Sequence, residues 1–146
     1  AGYPVVDTRV TLDDGSSHPV DSSDQAFRMA GQIAMRKAME QANTTLLEPI
    51  VRVEGTCPED MLGDVMSDLS GRRGRVQGTD AVGGGVQIVT ALVPLAEMTT
   101  YAADLISMSQ GRASYASELS HYENVPAQLQ EQIVLQSPRG GTSDEQ

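Results

Sequence analysis

The sequence predicts an α+β protein in which a partial strand–helix unit precedes a complete βαββαβ domain and a short C-terminal helix. Three observations carry this prediction: an alternation of apolar and polar residues near the start, a helical spacing of alanines after it, and apolar runs beyond residue 46 that switch between the two periodicities. Hydrophobic residues make up 39% of the 146 residues and charged residues 21%. This composition can build a core, so wholesale disorder is excluded.

The first segment, residues 1–46, begins with the pattern of a strand. Three apolar residues alternate with polar ones and predict a half-buried strand: Val6, Val10 and Leu12. The run Asp13-Asp14-Gly15 then predicts a turn or a projecting loop.

A helix is predicted after this loop. Ser22 stands three residues before Gln25, which is typical of a capping box, and the helical spacing continues to about Ala42. Small residues on one side would let a sheet approach closely: Ala26, Ala30, Ala34 and Ala38. Because one strand and one helix cannot close a core, we expect further strands before residue 1 in a longer parent protein.

The second segment contains a complete set of elements. They are, in order, a strand at 50–56, a helix from Pro58 capped by Gly74, a strand at 75–79, a glycine-rich turn at 81–85, a strand at 86–93, a helix from Pro94 to Gly111, and a last strand through Tyr115, Leu119 and Tyr122. This order is the split βαβ, or ferredoxin-like, pattern, with both helices on one face of the sheet. We therefore expect domains at 1–46 and 47–124, followed by a short helix and a disordered tail within 125–146.

Charge and composition exclude several classes of function. The net charge of −10 argues against nucleic-acid binding through general electrostatics, so any RNA contact must be local, and no DNA partner is expected. Lys37 is the only lysine and lies between Arg36 and Ala38, so no phosphate-binding loop is present. No apolar run approaches the roughly 20 residues that span a bilayer, and no membrane partner is predicted. The single cysteine suits a reducing compartment.

The side chains that commonly perform chemistry do not form a catalytic set. His18 lies in the predicted loop, either as a solvated residue or as a contact at a protruding tip, whereas His121 near the end of the last strand is interpreted as structural. With the histidines far apart and only Cys57 available, no metal site is expected. Cys57 precedes a helix start, which can lower the pKa of a thiol, but no base accompanies it.

One cluster of arginines and one run of glycines remain. Arg72, Arg73 and Arg75 form the only dense basic cluster, which either complements a helix dipole or contacts phosphate. The run 83–85 is interpreted as a hairpin turn and not as a phosphate site. The predicted strands 50–56 and 86–93 contain no aromatic residue, which argues against base stacking on the sheet.

Several motifs, taken in order, resemble one known family. The stretches 1–7 (AGYPVVD) and 14–23 (DGSSHPVDSS) resemble the end of the fourth domain of bacterial elongation factor G, and 46–50 (LLEPI) resembles the junction into its fifth domain. Further motifs similar to the fifth domain follow at 63–65, 72–74, 93–98, 101–102, 108–112 and 121–126. The resemblance covers about residues 1–135.

The resemblance implies a ribosome-binding C-terminal part of a cytoplasmic translational GTPase that promotes translocation of tRNA and mRNA. It places GTP and Mg²⁺ in an N-terminal domain that these residues do not include. It implies no catalytic residue, cofactor or metal within this chain.

The resemblance also implies contact residues. The fourth-domain tip enters the decoding region, where the tRNA–mRNA pair lies, and corresponds here to Ser17, His18, Pro19 and Asp21. The fifth domain faces ribosomal RNA and protein at the stalk base of the large subunit. The candidates for that contact by position are Arg72, Arg73, Gln110 and Arg112.

Two alternatives stay open. Departures from the family pattern, among them Pro19, Thr99-Thr100, Ile106 and Ala113, also fit a divergent paralogue. A ferredoxin-like module could instead bind a small regulatory molecule, although Thr56-Cys57-Pro58 stands where such a module needs a glycine-rich turn. An independent enzyme is disfavoured because no nucleophile, base and acid occur together.

Overall fold

The computed structural model describes residues 2–16 and 23–137. They divide into two compact units, one formed by residues 46–125 and the other by the described parts of 1–45 and 126–146. Among the described helices, none combines the length and the hydropathy of a bilayer-spanning segment. The predicted tail from residue 138 onward lies outside the described residues.

Residues 2–16 form neither strand nor helix. Val6, Val10 and Leu12 are 56%, 72% and 90% exposed, so the predicted half-buried strand is wrong. Asp7 has a φ of 53°, which interrupts the extended backbone that alternation requires. A strand also needs a neighbour for its hydrogen bonds, and no described residue pairs with this segment.

Helix α1 spans Asp24–Gln41 with Ala42 as its C-cap, close to the end at about Ala42 that the spacing predicts. Its cap is Ser23, whose extended backbone lets Oγ accept a hydrogen bond from the Ala26 amide at 3.1 Å. The predicted capping box of Ser22 and Gln25 is therefore wrong by one residue, and Ser22 itself lies outside the described residues. No residue of α1 is buried.

Residues 46–125 form a four-stranded antiparallel sheet with two helices. The strands are β1 (Leu47–Pro58), β2 (Arg75–Gly83), β3 (Val86–Pro94) and β4 (Ser114–Asn124), in the spatial order β2-β3-β1-β4. The helices are α2 (Leu62–Gly71) and α3 (Tyr101–Ser109), and a further helix, α4 (Ala127–Gln136), follows the sheet in the chain. This arrangement confirms the predicted α+β class and its ferredoxin-like order.

Both predicted helices of this unit begin later than their prolines suggest. Pro58 and Pro94 each precede a short 3₁₀ helix, Glu59–Met61 and Leu95–Met98, and the α-helices start after these. Before α3, Thr100 has φ −105° and ψ 0°, which departs from ideal α-helical geometry and separates the two helices. The predicted single helix from Pro94 is therefore two pieces.

The core lies between the sheet and the two helices. The central strands contribute Val53 of β1 and Val89 of β3, both fully buried. They belong to one core cluster with residues of the two helices: Val65 and Leu69 of α2 and Leu105 of α3. Each such side chain contributes about 1.5–3 kcal/mol by its removal from water. These side chains pack α2 and α3 against one face of the sheet, and this packing positions the helix ends that carry the candidate site.

The hairpin predicted at the glycine run is confirmed. Gly84 and Gly85 form a two-residue turn with φ of 65° and 76°, a left-handed conformation that glycine adopts without strain. The carbonyl of Gly85 accepts a hydrogen bond from the Glu59 amide at 2.8 Å. The glycines therefore serve a turn that is tied to the end of β1.

Candidate functional site

The predicted site residues fall into two groups. Ser17, His18, Pro19 and Asp21 lie outside the described residues. Arg72, Arg73, Gln110 and Arg112 lie in the unit 46–125, at the C-terminal ends of α2 and α3.

The C-terminus of α2 is a tight cap that positions two arginines. Arg73 has a left-handed φ of 58°, and the next amide, that of Gly74, donates to the Leu69 carbonyl at 2.9 Å. This is the hydrogen bond of a Schellman cap. A Cβ on residue 74 would lie 2.3 Å from the same oxygen, so only glycine fits there.

Arg73 is held by two carboxylates. It donates to both oxygens of Glu48 on β1, at 2.7 and 2.9 Å, and its Nε donates to Glu97 at 3.1 Å. The hydrogen bonds that Arg73 donates to Glu48 raise the pKa of Arg73, burial opposes this shift, and the bond to Glu97 adds to it. Arg73 therefore ties α2 to the start of the sheet and to the 3₁₀ helix before α3.

Arg72 is enclosed more completely, with a side chain only 12% exposed. It donates to Asp68 at 2.9 Å, to Asp104 of α3 at 2.5 Å and to the Glu97 carbonyl at 2.8 Å, and its guanidinium lies 5.1 Å above the Tyr101 ring. Burial lowers the pKa of Arg72, but the bonds to Asp68 and Asp104 outweigh it and the net shift is upward. Arg72 joins α2 to α3.

Arg75 belongs to a different network, on the sheet. It contacts Glu123 of β4, which also accepts a hydrogen bond from Nε2 of His121 at 2.7 Å. The Nδ1 atom of the same ring lies 2.8 Å from Ser120 Oγ. The bonds from His121 and then Arg75 lower the pKa of the Glu123 carboxyl. His121 thus has partners within the sheet, as its structural interpretation requires.

Gln110 and Arg112 lie in the turn between α3 and β4, and both are exposed. Gln110 has a left-handed φ of 54°. Arg112 lies 3.6 Å from Asp60 and 3.4 Å from the sulfur of Met61. Its guanidinium is therefore much less engaged than those of Arg72 and Arg73.

Neither Cys57 nor Tyr101 has the environment of a reactive group. Burial and then the charge of Asp60 raise the pKa of the Cys57 thiol, so the thiol stays protonated at neutral pH. Burial raises the pKa of Tyr101 to about 12, and its ring packs edge-on against Tyr115 at 4.8 Å. Among the described residues, no three His, Cys, Asp or Glu side chains are grouped so as to hold a metal ion.

An open groove of about 520 Å³ separates α2 from α3. Its lining is mixed in charge and partly apolar: Asp64, Ser67, Asp68, Gly71, Arg72 and Met108. The groove is lined by the carboxylates of Asp64 and Asp68 and by the guanidinium of Arg72, which is already paired with Asp68. It therefore has no excess of positive charge that would attract a phosphate.

Sequence reasoning found the arginines but missed their partners. The spacing of Asp68 and Arg72, four residues apart on one helix, could have indicated their pair. Glu48 and Glu97 gave no such signal, because each meets Arg73 across more than 20 residues of chain. Taken together, the hydrogen bonds of Arg72 and Arg73 to carboxylates hold α2, α3 and the start of the sheet to one another.

Two comparisons place this fold among known proteins. The model of the elongation factor G C-terminus matches residues 45–133, and that of elongation factor G domain IV matches residues 1–43. A crystal structure of a protein from Thermus thermophilus is similar, with 44% identity over 82% of this chain and a TM-score of 0.68. The chain spans 18% of the length of that protein. The resemblance found in the motifs is thereby confirmed, and the chain belongs to the elongation factor G family.

Proposed function

We propose that this chain is the ribosome-binding C-terminal part of a translational GTPase that promotes translocation of tRNA and mRNA during protein synthesis. The observation that carries the proposal is the pair of elongation factor G matches, which follow each other along the chain from domain IV at 1–43 to the C-terminus at 45–133.

The unit 46–125 has the properties that a docking body needs. Arg72 and Arg73 connect α2, α3 and β1 through five hydrogen bonds to side-chain carboxylates, so the surface is held in one arrangement. Such preorganisation lowers the entropic cost of binding a large partner. In this role Arg72 and Arg73 act through the shape of the surface, and the exposed Gln110 and Arg112 contact ribosomal RNA or the stalk-base protein.

The chemistry of the reaction belongs to another part of the longer factor. On this proposal GTP and Mg²⁺ bind a nucleotide-binding domain there, and the lysine of this sequence, Lys37, does not belong to a phosphate-binding loop. On this proposal the residues that correspond to the tip that reaches the tRNA–mRNA pair are Ser17, His18, Pro19 and Asp21, all outside the described residues. This division assigns a mechanical role to the present residues, in which hydrolysis elsewhere biases their position.

The test uses the longer factor with His18→Ala or His18→Lys at the tip. We expect slower translocation with unchanged GTP turnover on ribosomes, because the tip acts on the tRNA–mRNA pair and not on the nucleotide. Pre-steady-state translocation and phosphate release measured on the same ribosomes separate the two steps. Equal slowing of both, or of neither, contradicts the proposal.

A further inference from the structure

Arg112 is the least committed guanidinium of the unit 46–125, all of which the structure describes. The other four arginines each donate to a carboxylate at 3.2 Å or less: Arg52, Arg72, Arg73 and Arg75. Arg112 instead lies 3.6 Å from Asp60, beyond the roughly 2.7–2.9 Å of a charge-assisted hydrogen bond. Its remaining contact is a thioether, which is a weak acceptor.

The turn that carries Arg112 is fixed although the side chain is exposed. The amides of Gly111 and Arg112 donate to the carbonyls of Ile106 and Ser109, both at 3.0 Å. The buried hydroxyl of Ser109 also accepts from the Ala113 amide at 3.1 Å. A guanidinium on a rigid backbone, with most of its donors unused, is prepared to bind a phosphate through two parallel hydrogen bonds.

We infer that Asp60 is a specificity-determining residue of this surface, which competes with RNA phosphate for Arg112. The inference rests on the proposed ribosome binding. A phosphate that engages Arg112 has to displace the Asp60 carboxylate or remain close to its negative charge. Because the pair is long and both side chains are more than half exposed, Asp60 stabilises the fold little, and its main effect is on what Arg112 binds.

The same reasoning makes Arg72 and Arg73 weaker candidates for a phosphate contact than Arg112. Arg72 would have to give up bonds to Asp68 and Asp104, and Arg73 its two bonds to Glu48. The bonds of Arg72 to Asp68 and of Arg73 to Glu48 are part-buried, and breaking them would leave these carboxylates without their partners, at a cost in free energy. Asp60 therefore controls the arginine of this unit that has the least to give up when it binds a phosphate.

The test measures binding of the 146-residue chain to purified large ribosomal subunits between about 50 and 200 mM salt. Asp60→Asn is expected to tighten binding about three- to tenfold, since it removes the competitor and a nearby negative charge. Glu118→Gln is the matched control. It also removes one charge from an exposed carboxylate that pairs with an arginine, Arg52, and is expected to change the affinity less than about twofold.

A second pair of variants tests whether the effect acts through Arg112. In an Arg112→Gln background the gain from Asp60→Asn should disappear, and Arg112→Gln alone should reduce the salt dependence by about one phosphate contact. Equal tightening by Asp60→Asn and Glu118→Gln, or a gain that persists without Arg112, overturns the inference alone. Absence of binding by every variant at low salt overturns the proposed function and the inference with it.

Discussion

The unit 46–125 and helix α1 share a helical apolar spacing but differ in what covers it. In α2, Val65 and Leu69 are fully buried against the sheet. In α1, Phe27, Met29 and Ile33 remain 52%, 57% and 53% exposed. Helical spacing of apolar residues therefore predicts that a helix exists. Whether its apolar side is buried depends on another element that packs against it, which the spacing cannot reveal.

Replacement of a large apolar residue in each region gives the largest expected contrast. Leu69→Ala should lower the free energy of unfolding of 46–125 by about 2–5 kcal/mol, because it opens a cavity in a packed core. Ile33→Ala on α1 should cost less than about 1 kcal/mol, since the removed atoms already contact water. Urea unfolding followed by far-UV circular dichroism measures both.

The outcome of that pair is decisive for the role of α1. A loss for Ile33→Ala comparable to that for Leu69→Ala would mean that the apolar side of α1 is covered in solution. Similar small losses for both would mean that the sheet and α2 do not form one packed core. Either result contradicts the difference in burial between α1 and α2.

The same contrast explains how much of the fold the sequence could predict. The four strands of 46–125 follow from alternation, glycine turns and β-branched runs, and each lies where it was expected, with longer ends. The strand through Val6, Val10 and Leu12 was wrong although its alternation was as regular. Alternation of apolar and polar residues shows that one face of a segment could be buried. The segment becomes a strand of a sheet only if a neighbouring strand pairs with it.

The candidate site was predictable only in part, for a related reason. The helix end that gathers Arg72 and Arg73 could be predicted, because cations and glycine favour C-terminal positions. The engagement of these arginines could not, since Glu48 and Asp104 reach them through the tertiary fold. The dense basic cluster of the sequence is thus engaged in ion pairs with carboxylates of the same unit, whereas the arginine at 112 has only a long contact with one.

Alanine substitution at one glycine in each region should change stability in opposite directions. Gly74→Ala should lower the stability of 46–125 by about 1–3 kcal/mol, because its Cβ would lie 2.3 Å from the Leu69 carbonyl oxygen at the end of α2. Gly31→Ala should stabilise helix α1 by up to about 1 kcal/mol, because alanine has the higher helix propensity and nothing lies within 4 Å of the added atom. Thermal unfolding by circular dichroism gives both changes.

The control for this pair is Gly71→Ala, just before the cap. Gly71 is the last residue of α2, and its added Cβ would meet no atom within 4 Å. It should therefore behave like Gly31 and not like Gly74. A loss at Gly71 equal to that at Gly74 would show that the helix end, and not the contact with Leu69, sets the cost.

The smallest expected effect concerns pH and the sheet network of Arg75, His121 and Glu123. Bonds from His121 and Arg75 lower the pKa of Glu123 below its ordinary 4.5, so the folded state holds the carboxylate ionised where the unfolded chain binds a proton. The ionised Glu123 carboxylate therefore stabilises the folded state. This stabilisation is fully present above the ordinary pKa and is lost as the pH falls through the lowered pKa of the folded state. Because Glu123 is about one-third exposed, the contribution is within about 0.5 kcal/mol.

The measurement is the difference in unfolding free energy between the parent chain and Glu123→Gln from about pH 6 to about pH 3. The difference should shrink as the pH falls, and in an Arg75→Gln background it should be smaller throughout, because one of the two donors is gone. No ion pair involves α1 among the described residues, so the pH-dependent part belongs to the unfolding of 46–125. A difference that is constant with pH would mean that the carboxylate is exposed to solvent without these partners, and that packing alone distinguishes the two regions.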